Sequence, residues 1–210
     1  MSYATPDQLA SFDSGVTRER RRVIRLARGS TVLGSAETLA ANGRRIWSVD
    51  VEIPAGKKGT AATVAWMGRL ALEGSRSPGV IDLARRIVAG TGHKDYVAQA
   101  DAILQHMKRT VQYLRDPRGL EHVQTPSWTL YGVRAGDCDD HATAIAALAL
   151  ALGFEAGFRT VGATASHFSH VYAVVNLDGR WVALDSTIAR SYLGWEPEGV
   201  ALSKTWRVNA

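Results

Sequence analysis

The chain has 210 residues, of which 46% are hydrophobic and 21% charged, a composition that excludes disordered and collagen-like chains. That length fits one domain, or one domain with an embellishment, and can bury a core without staples. The 25 basic and 20 acidic residues leave a formal charge of +5, and the single cysteine, Cys138, excludes an intrachain disulfide and any zinc site built on several thiolates.

Met1 to Gln8 lack the basic and apolar segments of a secretory signal, and a lone thiol fits a reducing compartment, so a cytoplasmic location is expected. Arg18 to Arg28 carries much of the positive excess. It reads as a solvated strand or helix face. No aromatic residue interleaves with the arginines, so a stacking platform for single strands is not supported, and nucleic-acid binding ranks last among the partners considered. Residues 1–59 show little helical periodicity. Arg22–Leu26 and Arg45–Ile53 look extended, and Pro54 to Gly59 is a turn-rich break. The segment 1–59 is expected to be an N-terminal β arm or small subdomain, with the main domain at 60–210.

From Thr60 to Glu73 the apolar residues fall at helical spacing. Ser77-Pro78 places a cap and an N1 proline ahead of a second helix, which Gly90 and Gly92 stop. A third apolar stripe (Val97, Ala100, Leu104, Met107, Val111, Leu114) predicts a helix from about Lys94 to Arg115, with these residues in the core. Asp116 to Gly119 is a turn, and Pro126 to Gly136 reads as a loop with one helical turn. Ala144 to Leu152 is the longest apolar run, too short for the ~20 residues that span a bilayer. It belongs to a helix headed by Asp137-Cys138 and closed by Gly153, apolar nearly all round and therefore central. Beyond it the period changes to two, and strands are expected at Ala156–Val161, Ser169–Asn176, Arg180–Ser186 and Thr205–Val208. Helices followed by strands argue for α+β.

Cys138 stands at a helix start, with Asp137 as its expected cap. The unpaired N–H groups and dipole there favour a thiolate, while Asp139 and Asp140 oppose a second negative charge. Asp178-Gly179 between two alternating runs is a hairpin signal. As a two-residue turn it pairs Leu177 with Arg180, Val175 with Val182 and Tyr172 with Asp185. His170, Tyr172 and Asp185 then share a face, with His170 diagonal to Asp185. A three-residue turn would send Asp185 to the other face. A carboxylate beside an imidazole, and an imidazole beside a thiol, make an activated nucleophile.

These blocks, Gly136-Asp137-Cys138-Asp139-Asp140-His141-Ala142, His170-Val171-Tyr172-Ala173 and Gly179 to Thr187, resemble the transglutaminase-like superfamily. Tyr113 to Pro117 and Gln124 to Pro126 resemble the lead-in of its bacterial and bacteriophage members. The resemblance implies a papain-like α+β fold in which a buried helix carrying the cysteine packs on an antiparallel sheet. It implies Cys138 as nucleophile, His170 as general base and acid, and Asp185 as orienter. Asp185-Ser186-Thr187 departs from the commoner Asp-Pro-Thr, a change expected to matter little. The Cys138 N–H is one oxyanion donor, and Gln124, Trp128 or Tyr131 could supply a second.

His167, three residues before His170, is expected on the opposite face, and His141, in the first turn of the helix where it could touch the site, is expected to be packed or solvated. The aspartates 137, 139 and 140 lack the glycine and later glutamate of a calcium loop. With no phosphate-loop or dinucleotide fingerprint either, no metal and no cofactor are expected. The expected function is thiol-dependent acyl transfer on a protein or peptide substrate, with hydrolysis favoured over crosslinking and no membrane partner. The alternative is a non-catalytic structural or assembly module, for example of a bacteriophage particle. That would make the protein virion-associated; the arginine-rich arm fits a docking element under either reading.

Overall fold

The computed structural model describes the backbone of residues 22–27, 35–39, 45–53 and 121, and the full residues 56–116 and 122–209. The side chains of the arginine-rich run and most of the predicted turn at 116–119 lie outside these residues.

Three strands open the described chain: β1 (Arg22–Ala27), β2 (Ser35–Leu39) and β3 (Arg45–Ile53). They form a sheet in the order β2-β3-β1-β5, where β5 (Glu121–Val123) pairs parallel with β1. The N-terminal strands are thus joined to a strand that lies far downstream in the chain. Helix α1 (Gly56–Ser75) begins inside the expected turn-rich break, so the 59/60 boundary falls within a helix. Helix α2 (Pro78–Val88) starts as predicted, with Ser77 at the N-cap position and Pro78 at N1.

Helix α3 (Tyr96–Thr110) is shorter than its apolar stripe suggested. Val111 is extended, and β4 (Gln112–Tyr113) follows directly. Two residues expected in the core are exposed: Leu114 at 62%, beyond the end of the helix, and Val97 at 58%, in its first turn. The Pro126–Gly136 segment holds a π-helical turn (Trp128–Val133) and the short strand β6 (Ala135–Gly136), which pairs parallel with β4.

Helix α4 (Cys138–Ala151) is central. Residues 139 to 149 are all buried, and Gly153 follows the helix at φ +87°. One side of α4 meets α1, α2 and α3, and another meets the antiparallel sheet β10-β7-β8-β9. Its strands are β7 (Ala156–Gly162), β8 (His170–Leu177), β9 (Arg180–Leu184) and β10 (Leu202–Arg207). Val171, Ala173, Val175 and Leu184 join α4 in the main core, while Val161, Tyr172, Val174 and Ala183 form a smaller cluster. The architecture is α+β, with a cysteine-bearing buried helix on an antiparallel sheet. No helix among the described residues is long and apolar enough to cross a membrane.

Candidate active site

The β8–β9 hairpin turns on Asp178-Gly179, with both residues at positive φ (51° and 84°). That is the type I′ geometry that matches strand twist. The observed register pairs Leu177 with Arg180 and Val175 with Val182. Continued by one step beyond Leu184, it sets Asp185 against Tyr172, and the diagonal His170 comes within reach. His170 Nε2 lies 2.7 Å from Asp185 Oδ2, and both residues are buried.

Asp185 is anchored further. Its Oδ1 accepts from Thr187 N at 3.0 Å and Thr187 Oγ1 at 2.7 Å. Burial pushes its carboxyl up, but His170 and the Thr187 donors outweigh this and hold it below the usual carboxylate range. The loop beyond is fixed from α3, where Lys108 Nζ donates to Ala189 O at 3.0 Å and also reaches Ser191 O. The Ser191 hydroxyl reaches back to Asp185 O. The Nε2 bond leaves Nδ1 as the second nitrogen of His170, and the ring of Tyr172 lies 5.8 Å away, centroid to centroid.

Cys138 is the first residue of α4 and is half-buried. Asp137 caps the helix in a reciprocal box: its Oδ1 accepts from Asp139 N at 3.3 Å, and Asp137 N donates to Asp140 Oδ2 at 3.3 Å. Asp140 is fully buried and also accepts from Gln124 N at 2.7 Å and Gln124 Nε2 at 2.8 Å. It folds back over Gly136, where an added Cβ would lie 2.5 Å from the Asp140 Cβ and Oδ2. Asp139 is buried with no hydrogen-bond partner on either carboxylate oxygen. Burial first, then Asp137, raise its pKa well above the ordinary value. That favours its uncharged form and weakens the repulsion the sequence suggested against a thiolate at Cys138.

The carboxylates of Asp137, Asp139 and Asp140 have oxygens within 4.8 Å of one another, a spacing that could hold a cation. The donor set fits one poorly. Both Asp140 oxygens already accept hydrogen bonds, and a helix N-terminus repels positive charge.

The structure gives two of the oxyanion candidates other partners. Gln124 spends its amide donors on Asp140 Oδ2 and on Ala135 O at 3.2 Å. The Tyr131 hydroxyl donates to Gly79 O in α2. Trp128 packs its ring on Gly132, where an added Cβ would meet it at 2.4 Å. His167 precedes β8 in an irregular segment rather than a strand, and its Nδ1 lies within hydrogen-bond reach of Thr164 Oγ1 and Ser166 Oγ.

Two residues named in the sequence without a role in the site lie around it. His141, expected to be packed or solvated though able to touch the site, is buried with Nδ1 2.7 Å from Ser186 Oγ and Nε2 3.4 Å from Gln112 O. Tyr113 in β4 sits near Cys138. Burial, followed by the nearby Cys138 and Asp137, raises its phenol. Its ring lies 6.4 Å from that of His141. The parallel pairing of β4 with β6 could not be read from two such short segments.

Two solved structures resemble the chain, each at 15% identity. One is a candidate cysteine protease from Cytophaga hutchinsonii, with 83% of this chain and 71% of that one covered and a TM-score of 0.43. The other is a candidate protease from Parabacteroides distasonis, with 85% of this chain covered and a TM-score of 0.49. This chain spans only 39% of its length. No curated protein sequence matches. The family model of the transglutaminase-like superfamily matches residues 81–186, about half of the chain, from α2 through the cysteine-bearing helix to the loop after β9. The chain belongs to the transglutaminase-like superfamily.

Proposed function

We propose that this protein is a thiol-dependent acyltransferase acting on an amide bond of a protein or peptide. Cys138 is the nucleophile, His170 the general base and acid, and Asp185 the orienter. The observation that carries this reading is the 2.7 Å bond between His170 Nε2 and Asp185 Oδ2. It fixes the tautomer, with the proton on Nε2 and the basic lone pair on Nδ1. Cys138 heads the helix that packs on the same sheet, at the end where the dipole favours a thiolate.

In the proposed reaction Nδ1 takes the thiol proton and Sγ attacks the amide carbonyl. The tetrahedral oxyanion is received by the Cys138 N–H at the positive end of the helix. The imidazolium returns the proton to the leaving amine, the C–N bond breaks and a thioester remains. Water, deprotonated by the same imidazole, resolves the thioester to a carboxylic acid and frees the thiol. Hydrolysis is preferred to attack by a lysine amine on the resemblance to bacterial and bacteriophage members of the family.

Alkylation kinetics test the reading. Iodoacetamide should label Cys138 near neutral pH much faster than free cysteine, and His170→Ala should remove the excess. A wild-type rate equal to that of a free thiol of pKa ~8.5 would leave a non-catalytic assembly module as the better account.

A further inference from the structure

We infer that His141 is a positioning residue for this chemistry: it ties the helical turn carrying Cys138 to the loop carrying Asp185. The inference rests on the acyl-transfer reading above.

His141 lies three residues after Cys138 in the first turn of α4, and Ser186 directly follows Asp185. The 2.7 Å contact between His141 Nδ1 and Ser186 Oγ therefore links the nucleophile's helix to the residue beside the orienting carboxylate. Thr187 and Ser191 anchor that loop to itself, and Lys108 anchors it to α3. The Ser186–His141 bond anchors it to α4.

The proton placement follows from the partners. A carbonyl oxygen can only accept, so the hydrogen on the ring belongs on Nε2, facing Gln112 O. Nδ1 is then the acceptor, and the Ser186 hydroxyl donates to it. This needs an uncharged ring. Burial lowers the pKa of His141 and outweighs Gln112 O, Asp185 and Asp137, which act the other way. One neutral imidazole thus joins three segments: the first turn of α4, the Asp185 loop, and β4, whose partner β6 ends just before Asp137. A phenyl ring would fill the same space but leave the buried Ser186 hydroxyl without an acceptor.

Such a tie matters because acyl transfer tolerates little misplacement. An error of about 1 Å between reacting groups can cost roughly a hundredfold in rate. Nucleophile and His–Asp pair sit on different elements, so their separation depends on whatever joins those elements.

The test uses the full chain and the iodoacetamide rate of Cys138 across pH, with melting temperature as a control. Ser186→Ala and His141→Phe should each lose about tenfold in rate at neutral pH. Their pH midpoints should move toward that of a free thiol while the fold stays intact. His141→Asn, whose amide oxygen can accept from Ser186, should recover most of the rate. Ser186→Ala deletes one buried atom and decides the matter if His141→Phe fails to fold. Wild-type rate and midpoint in folded Ser186→Ala would overturn the inference. A wild type lacking any His170-dependent excess would instead overturn the acyl-transfer reading, and this inference with it.

Discussion

In α4, residues Asp139 to His141 and residues Ala144 to Ala149 are equally buried, yet different forces hold them there. The second stretch is alanine, isoleucine and leucine packed against three helices and a sheet. Each fully buried large aliphatic side chain in it contributes about 1.5–3 kcal/mol by leaving water. The first stretch puts two carboxylates and an imidazole under the same cover, and burial alone would be costly for all three. Asp140 is offset by three N–H donors and His141 by a hydroxyl and a carbonyl, while Asp139 shifts toward its uncharged form. Polar machinery can thus head a core helix when each group finds a partner or gives up its charge.

This division of labour makes separable expectations. The largest effect belongs to the first turn. Cys138→Ala should abolish thioester formation, a loss of at least about a thousandfold in turnover, while thermal melting barely moves. Electrospray mass spectrometry of the substrate-incubated protein would detect the trapped acyl adduct. In the apolar stretch the opposite is expected. Leu148, fully buried, should cost about 2–5 kcal/mol in unfolding free energy when replaced by alanine. Under native conditions the folded fraction should keep its wild-type alkylation rate, so a parallel loss of rate would erase the division drawn above.

A smaller effect is expected beyond the far end of the helix. Gly153 sits at φ +87°, a conformation that penalises any Cβ. Gly153→Ala should cost about 1 kcal/mol in denaturant titration and leave Cys138 reactivity unchanged. The smallest effect depends on pH. The Asp139 carboxyl is raised in the fold, so its contribution is present below the ordinary carboxylate range and is lost as pH climbs toward the folded value. Asp139→Asn removes that titration. Its stability relative to wild type should rise as pH increases above 3.8, measured by melting at stepped pH; a pH-independent difference would mean Asp139 stays ionised. Asp185 works in the other direction. Its carboxyl is lowered, so its contribution is present above the ordinary range and fades as pH falls through the folded value.

What the sequence revealed of this molecule depended on whether a signal was local. Helix α4 and its ends could be read from Asp137 and Gly153, because caps act on adjacent backbone. The hairpin register followed from Asp178-Gly179, since a type I′ turn dictates every pair beyond it, and so the His170–Asp185 pair could be placed. The stripe through Leu114 misled because its apolar spacing continues past Thr110, while the backbone turns extended at Val111 to pair β4 with β6. That pairing involves residues more than twenty apart, and no spacing rule announces it. The strand β2 was missed for a similar reason, its Ser-Ala-Glu-Thr-Leu sequence carrying little of the strand signature. Gln124 and Tyr131 offered the right donor groups, but only coordinates reveal where those donors are spent. Ser186 stood where proline is commoner, and that departure was the available hint of its bond to His141, 45 residues away in sequence.

Gly136 has a consequence for how this protein can change over generations. Because Asp140 lies where a side chain at position 136 would have to go, a mutation there is felt four residues later, at the carboxylate that receives Gln124 and the Asp137 N–H. The two positions are therefore sterically coupled. Because the close approach includes the Asp140 Cβ, a side chain at 136 requires glycine at 140 or a shift of the helix start. Saturation libraries across 136–140 should accordingly return survivors as linked combinations instead of independent single changes.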